Sequence, residues 1–368
     1  MALQNRIDPD TAPEELARWL RARRPDAEEV VVDRVVVPKA NGLSSESVVF
    51  DATWQEAGAR HHRGLVARIA PEGAGIYPTY DYPLEARVMR ALGPTSVPVP
   101  TVASADEDEL FGSPAIVMER VPGRVPPDDP PYPVAGWVLD LAPDEQARLV
   151  DEMVRTMAQV HAVDWRAVGL QELAPSGESA LDREFRYWES FYDWAGDGLR
   201  SPLIDAGLEW ARAHRPEEEA SPVLCWGDAR LGNVLYDDAL SVVGALDWEM
   251  ATIGPAALDL GWFLFQLRHH STGFGVPLPP GFPSEDAIIA RYEELTGAPV
   301  RDFAFYRIWT GVRCSIMMLR IARRMIELGA VPPDAELPIN NVSSSLLAED
   351  LGIPVPAFSA AGWLDGSR

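Results

Sequence analysis

The spacing of apolar residues changes part-way along the chain. Near the start, PEELARWLRAR (13–23) places them at helical steps and predicts a short amphipathic helix. Residues 31–38, 47–54 (SVVFDATW) and 64–71 (GLVARIAP) are β-branched runs separated by turn-like stretches, which predicts an antiparallel sheet. DYPLEARVMRAL (81–92) returns to helical spacing after a proline start, and 97–121 reads as two strands joined by the acidic turn DEDE (106–109). PGRVPPDDPPYP (122–133) is dense in proline and marks a junction or insertion. Beyond it the helical period dominates, over 144–164 and 181–196 and then near 256–270, 284–296, 301–329 and 338–350. The clear β signal in this second part is 222–249. The pattern therefore divides into an N-terminal helix (1–24), a sheet-rich lobe (25–121), a proline-rich hinge or insertion (122–137) and a helix-rich lobe (138–368).

Composition narrows the function classes. The 368 residues are 47% hydrophobic and 24% charged, enough for two substantial cores. A net charge of -24 disfavours nucleic acid and anionic membranes as partners. Cys225 and Cys314 lie far apart among apolar residues, with neither a metal-ligand spacing nor a disulfide framework. The first residues lack the apolar core of a signal peptide, and no apolar stretch reaches membrane-spanning length. The expected compartment is the cytoplasm. Lys39 is the only lysine, so a cation inside an active site has to be an arginine.

The chemistry concentrates in 223–248. The apolar runs VLCW (223–226) and VLY (234–236) flank the loop GDARLGN, and the turn DDALS leads into VVGALDW (242–248). Antiparallel pairing would return the end of the last run to the loop, so that Asp228, Asn233 and Asp247 converge. Two carboxylates and an amide carbonyl are hard oxygen ligands suited to Mg²⁺. One carboxylate could instead take the proton of an acceptor hydroxyl in phosphoryl transfer. The competing structural reading is a hairpin with Asp and Asn in its turns.

The segment WGDARLGN (226–233), followed by LDWE (246–249) and DLGW (259–262), resembles the aminoglycoside phosphotransferase and choline kinase superfamily, and within it the kinase-like domains fused to acyl-CoA dehydrogenases. The resemblance covers roughly residues 25–350. It implies an α+β, protein-kinase-like two-lobe fold, with an antiparallel sheet lobe carrying one helix and a larger helical C-terminal lobe. It implies Asp228 as catalytic base, Arg230 facing the transferred phosphate, and Asn233 and Asp247 holding Mg²⁺ on the phosphates of ATP. Asp259 would buttress the catalytic loop. In the first lobe it implies Gly42, Ser44 and Ser45 over the phosphates, Arg68 against them with Glu85 as its ion-pair partner, and backbone groups of Glu119 and Val121 at the adenine edge.

One departure stands out. The family usually has histidine where this chain has Trp226, which fits either the core or an acceptor pocket. His161 reads as a packed core histidine. The expected acceptor is a small molecule with a hydroxyl (aminoglycoside-like, sugar or hydroxyacyl), and the aromatic segments 185–194 and 259–265 suit an apolar one. The alternative is a nucleotide-binding, pseudokinase-like scaffold without turnover. Monomer and homodimer are both compatible with the sequence.

Overall fold

The structure is a computed structural model and describes residues 7–38, 44–73, 75–104 and 108–355. These fall into two compact units, Met1–Gly93 with Val99–Pro122, and Pro94–Pro98 with Gly123–Arg368.

The first unit contains α1 (Ala12–Arg23), β1 (Glu28–Val36), β2 (Glu46–Glu56), β3 (Ala59–Ile69), α2 (Tyr82–Leu92), β4 (Val102–Ser104), β5 (Glu109–Leu110) and β6 (Ser113–Glu119). The strands form an antiparallel sheet in the order β1-β2-β3-β6-β4, with β5 pairing β6. Ala57 and Gly58 both have positive φ in the β2–β3 turn, the geometry whose twist matches a tight hairpin. β1 lies at the edge, and its register shifts fall where Glu29 and Arg34 take positive φ. Such bulges blunt an exposed strand edge. Leu16 and Leu20 of α1 join Val32, Phe50 and Leu65 in one apolar cluster. Each such burial stabilises by about 1.5–3 kcal/mol relative to exposure. The stretch 97–121 thus holds three short strands, where two were expected. Part of the expected acidic turn, Asp106 and Glu107, lies outside the described residues.

The second unit contains α3 (Pro143–His161), α4 (Ala180–Gly196), α5 (Pro202–Ala213), β7 (Val223–Cys225), β8 (Val234–Tyr236), β9 (Val242–Ala245), β10 (Thr252–Gly254), α6 (Ala257–His270), α7 (Glu285–Thr296), α8 (Phe303–Glu327) and α9 (Val342–Leu351). Ser179, Ser284 and Asn341 cap α4, α7 and α9 by accepting backbone N–H bonds, and Gly297 and Gly352 end α7 and α9 in the left-handed conformation. These are the local signals that start and stop a helix. α6 is buried along most of its length because α8 and α9 pack against it. Helix α5 was not anticipated from the apolar pattern, and Gly207 interrupts its run. The β signal at 222–249 also resolves differently from the expected single hairpin. β8 pairs β9, whereas β7 pairs β10, a strand that the apolar pattern did not separate from the start of α6.

Candidate active site

The loop after β7 hangs from one buried carboxylate. Asp259, in the first turn of α6, is fully buried and accepts the backbone N–H of Trp226 (2.6 Å) and of Gly227 (2.8 Å). His161 closes the arrangement, with Nε2 at 2.9 Å from Asp259 and Nδ1 at 2.6 Å from the Tyr292 hydroxyl. The expected buttress and the expected core histidine are therefore parts of one network. Cys225 lies close enough for His161, Cys225 and Asp259 to resemble a metal-ligand trio. Burial, however, pushes the Cys225 thiol up, away from the thiolate that a metal would bind, and Asp259 is already committed to backbone donors.

Gly227 makes the next turn possible. Its φ is +91°, and a Cβ there would come within 2.1 Å of the Met250 carbonyl oxygen. Asp228 follows, and three donors fix its carboxylate. Trp262 Nε1 donates to Oδ1 at 2.6 Å, while Asn233 Nδ2 (2.7 Å) and Arg230 Nε (3.0 Å) donate to Oδ2. Asn233 Nδ2 also reaches the Asp228 backbone carbonyl at 3.0 Å. The amide nitrogen of Asn233 thus faces Asp228, and its Oδ1 is the atom suited to a cation.

The β8–β9 ladder returns the chain as expected. Asp237 holds the connecting turn by accepting from Ala239 and Ser241, and Leu246 then donates its N–H to the Asn233 carbonyl at 2.9 Å. Asp247 comes immediately afterwards at φ +63°, a left-handed conformation uncommon for residues with a Cβ, though Asp is among those that adopt it most readily. Asp228, Asn233 and Asp247 are thereby drawn together within a single unit of the fold.

Arg230 sits differently from the sequence expectation. Its Nη1 pairs with Asp128, from the proline-rich segment, while its Nε pairs with Asp228. Gly232 leaves room for this pair, since a Cβ there would lie 2.2 Å from Arg230 Nη1 and 2.5 Å from Asp128 Oδ2. Burial works against the Arg230 charge, yet Asp128 and Asp228 hold its pKa well above the ordinary value. Burial would raise the Asp128 pKa, but Arg230 and then His270 outweigh it and hold the carboxyl below its usual range. Burial pushes His269 down to about 3, with His270 adding to the shift.

In the first unit Arg68 and Glu85 form the predicted ion pair, with side-chain exposures of 12% and 2%. Arg68 Nη2 lies 3.4 Å from Ser45 Oγ, which in turn meets the Tyr82 hydroxyl at 2.9 Å. Ser44 is buried beside Ser45, and Gly42 lies outside the described residues. Glu119 donates its backbone N–H to the Thr101 carbonyl, and Val121 is half-buried.

The structure decides one reading left open, changes another and adds two residues. Trp226 belongs to the core: it is fully buried, stacks on Trp248 and donates Nε1–H to the Leu246 carbonyl. The aromatic segments 185–194 and 259–265 are also largely core, with Trp188, Phe191, Phe263 and Phe265 buried. Asp128 and Trp262 contact Arg230 and Asp228 directly but were not singled out. Asp128 looked like one polar residue in a proline tract, and Trp262 figured only as part of a motif.

Comparison with known proteins agrees with this geometry. Residues 44–303 match the phosphotransferase enzyme family. The mouse acyl-CoA dehydrogenase family member 10 is 26% identical over 72% of this chain, which spans 25% of that protein's length. A probable acyl-CoA dehydrogenase of Arabidopsis thaliana is 27% identical over 64% of this chain and is covered over 30% of its length. The chain thus spans about a quarter to a third of these relatives. Among solved structures, a Ralstonia eutropha protein provisionally assigned as an aminoglycoside phosphotransferase superposes with a TM-score of 0.67 at 24% identity, covering 92% of this chain and 98% of its own. A macrolide 2'-phosphotransferase of type I superposes with a TM-score of 0.56 at 17% identity, covering 97% of this chain and 100% of its own. The kinase-like fold, the match over residues 44–303 and the Asp228–Asn233–Asp247 arrangement lead to one conclusion: this chain belongs to the phosphotransferase enzyme family.

Proposed function

We propose that the protein is an ATP- and Mg²⁺-dependent small-molecule kinase that moves the γ-phosphoryl group to a hydroxyl of its acceptor. The observation that carries this reading is the setting of Asp228. An ionised carboxylate offers about four lone-pair sites. Trp262, Asn233 and Arg230 engage three of them, so the carboxylate is held in one orientation with one site left for an acceptor hydroxyl. That is the placement a general base needs.

The donor set also fits Mg²⁺. Asn233 Oδ1 and the Asp247 carboxylate are hard oxygens, and the Leu246–Asn233 backbone bond keeps the two residues adjacent. When bound, Mg²⁺ would neutralise phosphate charge. Asp228 would accept the hydroxyl proton at the carboxylate site that its three donors leave open. Arg68, paired with Glu85, would meet the nucleotide phosphates, with Ser44 and Ser45 beside it. A related structure, of the aminoglycoside phosphotransferase APH(4)-Ia, holds ADP and hygromycin B, which supports nucleotide use in this fold. The acceptor class is aminoglycoside-like, sugar or hydroxyacyl. We place the enzyme in the cytoplasm, as monomer or homodimer, without nucleic-acid or membrane partners. No described helix is long and apolar enough to cross a membrane.

The second reading, a nucleotide-binding scaffold without turnover, draws on Arg230. Two carboxylates already neutralise its guanidinium. Thermal unfolding with Mg-ATP tests both readings. A ligand at 100 times its Kd stabilises by about 2.7 kcal/mol. A Mg²⁺-dependent shift in the wild type that is lost in Asp247→Ala is the expected result, and no shift up to millimolar ATP or GTP would sink the kinase reading. Acceptor-stimulated ATP consumption then separates kinase from scaffold.

A further inference from the structure

Two of the three donors to the Asp228 carboxylate, Arg230 and Asn233, come from its own loop. The third, Trp262 on α6, gives its indole N–H to Oδ1 at 2.6 Å. An indole turns easily about its outer torsion, so a bond at one edge does not fix the ring. The Arg313 guanidinium of α8 covers the face of Trp262, with Cζ 4.9 Å from the ring centroid, and lies 5.1 Å from that of Trp188 on α4. Gly261 permits this approach of α6 to α8, since a Cβ there would come within 2.9 Å of Thr310 Oγ1. Arg313 is an unusual interior cation. It is 2% exposed, and its Nε and Nη1 have no hydrogen-bond partner among the described residues. Glu184 is its counter-charge, with Oε2 at 3.7 Å from Nε. That oxygen already accepts the indole N–H groups of Trp188 (3.2 Å) and Trp309 (3.4 Å). A buried ion pair with unmade hydrogen bonds adds little to stability, and its replacement by uncharged groups of similar volume is often neutral or stabilising. The value of this pair therefore lies in what it orients.

We propose that Arg313 is a positioning residue for Asp228 and acts through Trp262. Its flat guanidinium fixes the plane of the indole, and its charge draws electron density from the ring and strengthens the N–H that Asp228 accepts. Glu184 holds the cation between the two rings. The inference rests on the kinase reading above and adds to it: a charge two contacts away orients the base, from a helix outside the loop that carries it.

The test reads the Trp262 indole N–H directly by nuclear magnetic resonance, so that neither acceptor nor turnover is needed. In protein labelled with ¹⁵N-tryptophan, Trp262→Phe identifies its resonance among the twelve indoles. The test variant combines Arg313→Met with Glu184→Gln, which removes both charges and leaves an oxygen for the Trp188 and Trp309 N–H groups. Its unfolding temperature should be at or above that of the wild type. The Trp262 N–H should move upfield and exchange with solvent about tenfold faster or more, the effect of weakening one charge-assisted hydrogen bond. The Trp226 N–H, bonded to a backbone carbonyl, should keep its position. The Mg-ATP midpoint in thermal unfolding should also stay, because Asn233 and Asp247 are untouched. With an acceptor that stimulates ATP consumption, kcat should fall about tenfold or more at an unchanged KM for ATP. Arg313→Lys keeps the charge and loses the flat stacking face. It should move the Trp262 resonance in the same direction by less, and it decides the matter if the double variant does not fold. An unchanged Trp262 resonance and exchange rate in a folded variant overturns the inference and leaves the kinase reading standing. Absence of any Mg-nucleotide shift in the wild type overturns both.

Discussion

Arg68 in the first unit and Arg230 in the second are the two cations assigned to phosphate, and their surroundings differ. Arg68 is 12% exposed and pairs with Glu85, and the neutral Ser45 hydroxyl is also within reach. Arg230 is more open and lies between two carboxylates, Asp228 and Asp128. The first pairing is fixed by a sheet and a helix packed on each other. The second joins the loop after β7 to a proline-rich segment. A buried pair of this kind is expensive to break and fixes geometry, whereas a half-exposed one exchanges partners at little cost.

The largest effect should come from the shared support of the second unit. Asp259→Ala strands the backbone N–H groups of Trp226 and Gly227 and the ring of His161, each in a buried setting. Unfolding in urea should show a loss of about 3–5 kcal/mol. A loss below 1 kcal/mol would mean that the loop holds its shape without this carboxylate. Next, Arg68→Ala takes the Arg68 guanidinium away from buried Glu85 and should cost about 3 kcal/mol. The double variant Arg68→Met with Glu85→Met should recover most of that stability without recovering nucleotide binding. Recovery of both would remove Arg68 from the phosphate site.

The third prediction concerns pH. His269 titrates near 3 in the folded chain against an ordinary 6.5, mainly through burial. Between these values the unfolded chain binds the extra proton, so stability is fully present above 6.5 and declines as pH falls below it. From pH 7 to pH 5 the wild type should lose about 1–2 kcal/mol, and His269→Asn should flatten that slope. An unchanged slope would assign the acid sensitivity elsewhere. The depressed Asp128 carboxyl makes its contribution at lower pH, where its ion pair is lost as pH falls through its folded value. The smallest effect is expected for Asp128→Asn. With 38% exposure at Asp128, the pair with Arg230 should be worth about 1 kcal/mol or less. A loss of several kcal/mol would make the two arginine sites alike and erase the contrast between them.

Local chemistry made much of this legible. The period change located α1, α2, α3, α4, α6, α7, α8 and α9 and the main strands of the first unit, because helices and half-buried strands sort apolar residues at different spacings. Arg68 could be paired with Glu85, and Asp259 with the loop at 226–227, because the family resemblance placed them there. The β7–β10 ladder could not be read off: three-residue strands have no period of their own, and their partners are set by packing. α5 was missed as well, its run being interrupted by Gly207.

The sequence by itself determined the residue types at the candidate site and their order along the chain: a carboxylate at 228, an amide at 233 and a carboxylate at 247, with arginine as the cation at 68 and 230. Tertiary structure alone decided which groups touch them. Trp226 became a core clamp because its indole found both a ring and a carbonyl beside Asp247. Trp262 became a donor to Asp228 because α6 turns that edge toward the loop, with the Arg313 guanidinium over its face. Asp128 came to Arg230 from 102 residues away. Hydrogen bonds and ion pairs act over a few ångströms, and a linear pattern records separations along the chain and not those distances.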